Sequence, residues 1–373
     1  MQAEITSSEK KSYYILLDGL RGVAAIMVLW YHIFEAHTTD MLTQKVNHGY
    51  LMVDFFFILS GFVIGHAYNS RWENLTNKEF LKRRLIRLHP MVIFGALFGA
   101  VLFYYQGCEA WDVSKVSFWA LCGATLLNLF LIPATPNTEI RGIGEMYPLN
   151  GPSWSLFFEY VGNLLYALFI RKFSVKALKI LIVLFGIGLA SFAIFGKDGF
   201  IGAGWSLTTE GAIIGSLRFL FSFTFGLLLS KIFKPFFVKN SFWIASILLI
   251  IIALYPRLGG EDHFWLNGLY DILCVSLIFP IIVYFTASEN PKSKITKNIC
   301  KFLGNLSYPL YMVHYPIIYY YYAWVKNNGL TNDFPVLQGL MVFFGSILLA
   351  YIVQKLYDEP IRKYLTNRFL KNK

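Results

Sequence analysis

Apolar residues along the chain gather into runs too long for a surface helix or a strand. In order they cover 15–36, 49–69, 90–106, 118–133, 153–170, 180–195, 214–230, 241–256, 266–287, 305–325 and 336–356. A helix needs about 20 mostly apolar residues to cross a bilayer core about 30 Å thick, so these eleven runs are candidate spans. The polar residues collect in the breaks between them. The pattern predicts an all-α, polytopic integral membrane bundle.

Composition agrees. Hydrophobic residues make up 56% of the 373, charged residues 15%, against about 25% charged in a soluble domain. A disordered chain is excluded because it needs low hydrophobicity, and no short period suggests a fibrous repeat. The net charge of +11 is read through its placement, since Lys and Arg concentrate on the cytoplasmic side of a membrane protein. With all eleven runs crossing, the basic segments 171–179, 231–240 and 288–301 would face outward. With 118–133 re-entering or lying in the interface, 24 Lys and Arg fall on the inner side and six on the outer. The expectation is therefore ten spanning helices with both termini cytoplasmic, forming one transmembrane domain over 1–373 with its core at about 13–365. The charge then reports topology and lipid contact, and nucleic acid is not an expected partner. The first run is interrupted by Asp18 and Arg21 and offers no small-residue cleavage site, so no cleaved signal peptide is expected. Cys108, Cys122, Cys274 and Cys300 are widely spaced, without CxxC or Cys/His clusters. They read as free thiols, and no metal site is expected.

Ionisable residues inside spans are costly and mark functional candidates. In LLDGLRGVAAIMVLWYH, Arg21 and His32 are eleven residues apart, about three turns, so they share a face about 16 Å long. Asp18 can pair with Arg21, and Gly22 and Ala25 narrow the strip between. In the second run Asp54 shares a face with Gly61 and Gly65; it is placed to accept the second N–H of His32, while Ser60-Gly61 reads equally as close helix packing. Arg84 and Arg87 in FLKRRLIRLHP suit phosphate groups or simply carry positive-inside charge; Pro90 is expected to start the next helix. Ser153 or its neighbours cap a helix in which Ser155, Glu159, Gly162 and Tyr166 form a stripe, Glu159 being either functional or the partner of a buried cation. Ser307, Tyr311 and His314 form another stripe on a helix bent by Pro309 and Pro316. Arg218 is one more intramembrane cation, or a snorkelling one. The run Tyr319–Tyr322 is expected in the outer aromatic belt. No P-loop, HExxH or GxSxG motif is present, and no inverted repeat supports a transporter.

Taken together, LLDGLRGVAAIMVLWYH, VDFFFILSGFVI (53–64), RRLIRLHP (83–90), GPSWSLFFE (151–159), LSYPLYMVH (306–314) and DEPIRK (358–363) resemble the ordered blocks of the acyltransferase-3 membrane O-acyltransferases. That family acylates envelope carbohydrates and, in some members, small molecules; some members carry an added SGNH-type domain, and this chain resembles the stand-alone type. The resemblance implies His32 as the essential histidine, Arg21 as its motif partner, and Arg84 with Arg87 as the family's RxxR element. It also suggests roles for Asp54, Glu159 and His314 in catalysis and for Arg218 and Tyr308 in donor binding.

The expected reaction moves an acyl group, most simply acetyl, from acyl-CoA to a hydroxyl of a cell-envelope or exported carbohydrate, free or lipid-linked. The expected location is a bacterial inner (cytoplasmic) membrane. His32 would deprotonate the acceptor or be transiently acylated, with Asp54 orienting it and Arg21 stabilising charge. A small-molecule acceptor, or a transporter or flippase of an anionic sugar-lipid, are the competing readings.

Overall fold

The computed structural model describes residues 14–370 apart from 39–41, 43, 69–71, 73–74, 197–198 and 237. Its regular structure is helical, with only the isolated bridges Cys108–Trp111 and Glu145–Ser206 among the described residues. The helices are α1 (Ile15–Glu35), α2 (Met52–Tyr68), α3 (Asn77–Leu102), α4 (Phe118–Leu129), α5 (Ser153–Leu168), α6 (Val175–Phe195), α7 (Thr209–Ile232), α8 (Ser241–Leu254), α9 (Trp265–Ser288), α10 (Lys294–Asn327) and α11 (Val336–Leu370). Both α9 and α11 contain one π turn, at Cys274–Ile278 and Gln354–Asp358. Seven of the helices are long and apolar enough to cross a membrane. Large apolar side chains such as Val183, Ile187, Ile251, Phe344 and Leu348 point outward, while Asp54 of α2, Arg84 of α3 and Arg218 of α7 are buried inside. A soluble surface does not carry such a perimeter; this is a polytopic integral membrane bundle, with a helix at each of the ten expected spans.

The run 118–133 behaves as expected of a segment that does not cross. Its helix has 12 residues, about 18 Å at the α-helical rise. Both its ends are tied to the end of the bundle where α1 finishes. The Tyr104 hydroxyl, just beyond α3, donates to Val116 O at 3.1 Å, and the Tyr147 hydroxyl, just ahead of α5, donates to Leu131 O at 2.8 Å.

Two helix pairs set the architecture, and glycine makes both possible. A Cβ at Gly19 or Gly22 of α1 would collide with Cys300 or with the Leu303 backbone of α10, and one at Gly304 with Asp18. Gly61 of α2 lies against the Phe223 carbonyl of α7, Gly226 against the Ile58 carbonyl, and Gly65 against Ser230. The Asp54–Gly61–Gly65 stripe is thus the face that α2 turns to α7. Close backbone approach replaces the hydrophobic effect as the source of association inside a bilayer.

Local structure departs from expectation in places. Pro90 does not begin α3 but lies inside it, because a capping box starts the helix earlier: Thr76 Oγ1 accepts from Glu79 N at 3.1 Å and Glu79 Oε2 from Thr76 N at 3.2 Å. At α5 the cap falls to a neighbour of Ser153: Pro152 occupies the N-cap without a side-chain bond, and the Ser153 hydroxyl is buried without a partner. The tyrosine run is no uniform belt either. Tyr320 is exposed, but Tyr319 and Tyr321 are buried, because successive helical residues cannot all face lipid.

Candidate active site

His32 lies on the last turn of α1, three residues before Glu35, so the helix itself brings the two together. His32 Nδ1 is 2.7 Å from Glu35 Oε2. The carboxylate accepts the Nδ1 proton and leaves the Nε2 lone pair free. Nε2 has no partner among the described residues, and the side chain is 17% exposed, so the atom is reachable. Tyr315 packs edge-on to the His32 ring at 4.7 Å, and the His314 ring is 5.7 Å away. His314 is buried; its Nδ1 donates to Leu310 O at 3.0 Å and its Nε2 is left without a partner.

Proline shapes the wall beside these rings. Pro316 has no N–H, which frees the carbonyl of Met312 four residues back. Asn150 Nδ2 donates to that carbonyl at 2.9 Å, an approach that requires Gly95 in α3. The segment ahead of α5 is thereby pinned beside α10, and Ser155 Oγ meets the Tyr311 hydroxyl at 2.8 Å. The same segment supplies Glu145, whose carboxylate accepts from the Tyr319 hydroxyl. The Arg141 guanidinium stacks on the Tyr319 ring, 3.6 Å from its centroid. Burial pushes the Glu145 carboxyl up to about 7, against the opposing pull of Arg141 and of the Tyr319 hydrogen bond.

The remaining expected residues are placed as follows. Arg21 pairs with Asp18 at 2.8 Å, on the turn expected. Asp54 does not orient His32. It is fully buried and paired with Arg218 at 2.6 Å, because its position on α2 faces α7 and not α1. Arg218, expected in donor binding, spends its remaining N–H groups inside the protein, on Ala203 O at 2.7 Å and Tyr50 O at 3.0 Å, and it is 1% exposed. Arg84 and Arg87 separate. Arg84 is buried and bonded to Glu159 Oε1 at 2.6 Å, an oxygen that also accepts from Ser60 at 3.2 Å. Glu159 is therefore the partner of a buried cation. The Tyr308 hydroxyl is engaged by Leu88 O at 2.6 Å.

Arg87 is exposed and lines a cleft of about 500 Å³ at the end of the bundle where α1 begins. Arg83, Arg362 and Lys363 line it too, with Tyr68 and Glu359. Two signals were missed in the sequence. Glu35 stands at i+3 from His32, a spacing that could have exposed it; Glu145 lies in a loop, and nothing local marks it. Among the described residues no group of three His, Cys, Asp or Glu side chains is placed to hold a metal ion.

Comparison with known proteins points one way. O-acetyltransferase OatA of Staphylococcus aureus is 27% identical over 363 residues, 93% of this chain and 57% of its own length. Protein 2 in picA locus of Rhizobium radiobacter is 35% identical over 162 residues, 41% of this chain and 81% of its own. The chain thus spans less than two thirds of the length of OatA. No solved structure matches. The family profile described as an acyltransferase domain matches residues 14–355, from the start of α1 into the π turn of α11, and on that match the chain belongs to the acyltransferase-3 family.

Proposed function

We propose that the protein transfers an acyl group, most simply acetyl, from acyl-CoA to a hydroxyl of a carbohydrate acceptor at the membrane. The observation that carries this reading is the His32–Glu35 pair: an imidazole held by a carboxylate at 2.7 Å, its other nitrogen free, in a chain of an acyltransferase family. In the proposed step His32 Nε2 takes the proton of the acceptor hydroxyl as its oxygen attacks the thioester carbonyl. The C–S bond breaks, and His32 returns the proton to the leaving thiolate. The acid–base atom is then restored, and the Glu35 carboxylate stabilises the positive charge that His32 holds in between.

Donor binding is assigned to the basic cleft. Arg83, Arg87, Arg362 and Lys363 would receive the phosphates of CoA, since guanidinium groups grip phosphate in a planar fork. The pantetheine arm would run along α1 from the Arg21 end to His32, about 16 Å. The charge distribution supports placing the cleft in the cytoplasm and His32 toward the outer half, with the protein in a bacterial cytoplasmic membrane and the acceptor a cell-envelope or exported carbohydrate, free or lipid-linked.

The test is CoA release from acetyl-CoA by the purified protein in nanodiscs, with and without carbohydrate. Acceptor-dependent release, lost in His32→Ala with insertion intact, is the expected result. Movement of a lipid-linked sugar without CoA release would make the protein a flippase instead.

A further inference from the structure

The four cations of the open cleft come from two walls. Arg83 and Arg87 stand one turn apart on α3, both exposed; Arg362 and Lys363 follow one another on α11, the first half-buried and the second exposed. Two contacts tie the walls together. The Tyr357 hydroxyl of α11 donates to Pro90 O of α3 at 3.1 Å, and Lys82 of α3 donates to Phe369 O at 3.4 Å while lying over the Phe369 ring. The ion pairs at this end of the bundle go to Arg21, Arg84, Lys355 and Arg362; Arg83, Arg87 and Lys363 have none among the described residues.

The acids on the α11 wall are already engaged. Glu359 Oε1 accepts from Lys355 at 2.8 Å and from Gln354 at 2.6 Å, the second a step of five residues that the π turn makes natural. Asp358, at the end of that turn, is 1% exposed and pairs with Arg362 Nη2 at 2.8 Å. As a brace this pair is poor. Asp358 Oδ1 and Arg362 Nε are both buried without a partner, and a buried ion pair with unmet atoms returns little stability. Its effect is geometric: the carboxylate holds the guanidinium by Nη2 and leaves Nη1, which makes no bond among the described residues, for a ligand.

CoA carries two separate phosphate groups: a diphosphate next to its pantetheine arm and a 3′-phosphate on its ribose, a monoester with nearly two negative charges near neutral pH. Arg87 lies toward the start of the proposed arm, since it and Arg21 both act on the charge of Arg84. We propose that the two walls are separate phosphate subsites, the α3 wall taking the diphosphate and the α11 wall the 3′-phosphate, with Asp358 as the residue that positions Arg362. The inference rests on the acyl-CoA reading and narrows the donor to one that bears a 3′-phosphate. A phosphopantetheine arm on a carrier protein, with its single phosphodiester, leaves the α11 wall unused.

The test is binding without acyl transfer. The full chain in neutral phosphatidylcholine nanodiscs is titrated calorimetrically with CoA and with 3′-dephospho-CoA. CoA is expected to bind about tenfold more tightly. Arg87→Gln should weaken both ligands alike and keep that preference, while Arg362→Gln should weaken CoA alone and erase it. Asp358→Asn should reduce the preference too, and combined with Arg362→Gln it should add nothing to the effect of Arg362→Gln, a result that a merely structural role does not produce. Equal affinity of the wild type for the two ligands, a preference that survives in Arg362→Gln, or additive effects in the combined variant overturns the proposal. A tighter hold on phosphatidylglycerol than on CoA, lost in Arg362→Gln, would make the α11 wall a lipid-headgroup site instead. Failure of the acyl-transfer reading would look different: no CoA release from acetyl-CoA, with the binding pattern intact.

Discussion

Glu35 Oε2 sits 2.7 Å from His32 Nδ1, one helical turn further along α1. This carboxylate, and not Asp54, fixes which ring nitrogen carries the proton. Glu35→Gln keeps the shape of the side chain but loses its charge, so the imidazolium formed during transfer loses its stabilisation. Turnover should fall by about tenfold or more while His32→Ala removes it, and the donor KM should stay unchanged in both. Acetyl-CoA turnover kinetics on the purified variants checks this; equal rates for Glu35→Gln and wild type would remove Glu35 from the site.

Asp54 and Arg218 are expected to act through stability. Removing one partner of a buried ion pair strands the other charge and costs about 3–5 kcal/mol. Asp54→Ala and Arg218→Ala should each lower the unfolding temperature sharply in detergent. Replacing both by apolar residues, as in Asp54→Leu with Arg218→Met, should recover much of the loss. Single variants as stable as the wild type would contradict the pairing.

Arg87 and Arg84 should part company under the same substitution. Arg87→Lys retains charge in the cleft and loses the planar fork, which should raise the KM for acetyl-CoA about tenfold. Arg84→Lys acts on the bond to Glu159 and should show mainly as reduced thermal stability. Unchanged kinetics in Arg87→Lys would return that residue to a role in topology alone.

Glu145 makes stability pH-dependent. Its carboxyl is raised from 4.5 to about 7 in the folded protein, so the folded state binds the proton more tightly than the unfolded one. Stability from this group is fully present below pH 4.5, declines as pH rises, and is lost above about 7. Glu145→Gln cannot ionise. Unfolding temperatures measured between pH 4.5 and 8 should therefore fall more steeply for the wild type than for the variant; parallel curves would deny the shift.

Topology is tested by labelling. Cys122 is the exposed one of the four native cysteines, so it is first replaced by Ser. A cysteine introduced in 171–179 should then resist membrane-impermeant thiol reagents in intact cells, and one in 134–147 should react. The opposite pattern would mean that 118–133 crosses the membrane.

The helices were legible because a bilayer leaves the chain so little choice. Backbone groups in hydrocarbon must be satisfied within the segment, so a long apolar run is a helix whatever its neighbours, and charge outside the runs separated 118–133 from the rest. Helical periodicity likewise put Asp18 beside Arg21, and Asp54 with Gly61 and Gly65 on one face. It could not say which helix that face would meet. Asp54 turned to Arg218 on α7, Glu159 to Arg84 on α3, and Glu145 reached the site through an irregular loop that follows no period. Partners between helices are chosen by where glycines let backbones approach and where prolines leave carbonyls open to a side chain such as Asn150. Those are properties of the packed bundle, and only the tertiary structure decided them.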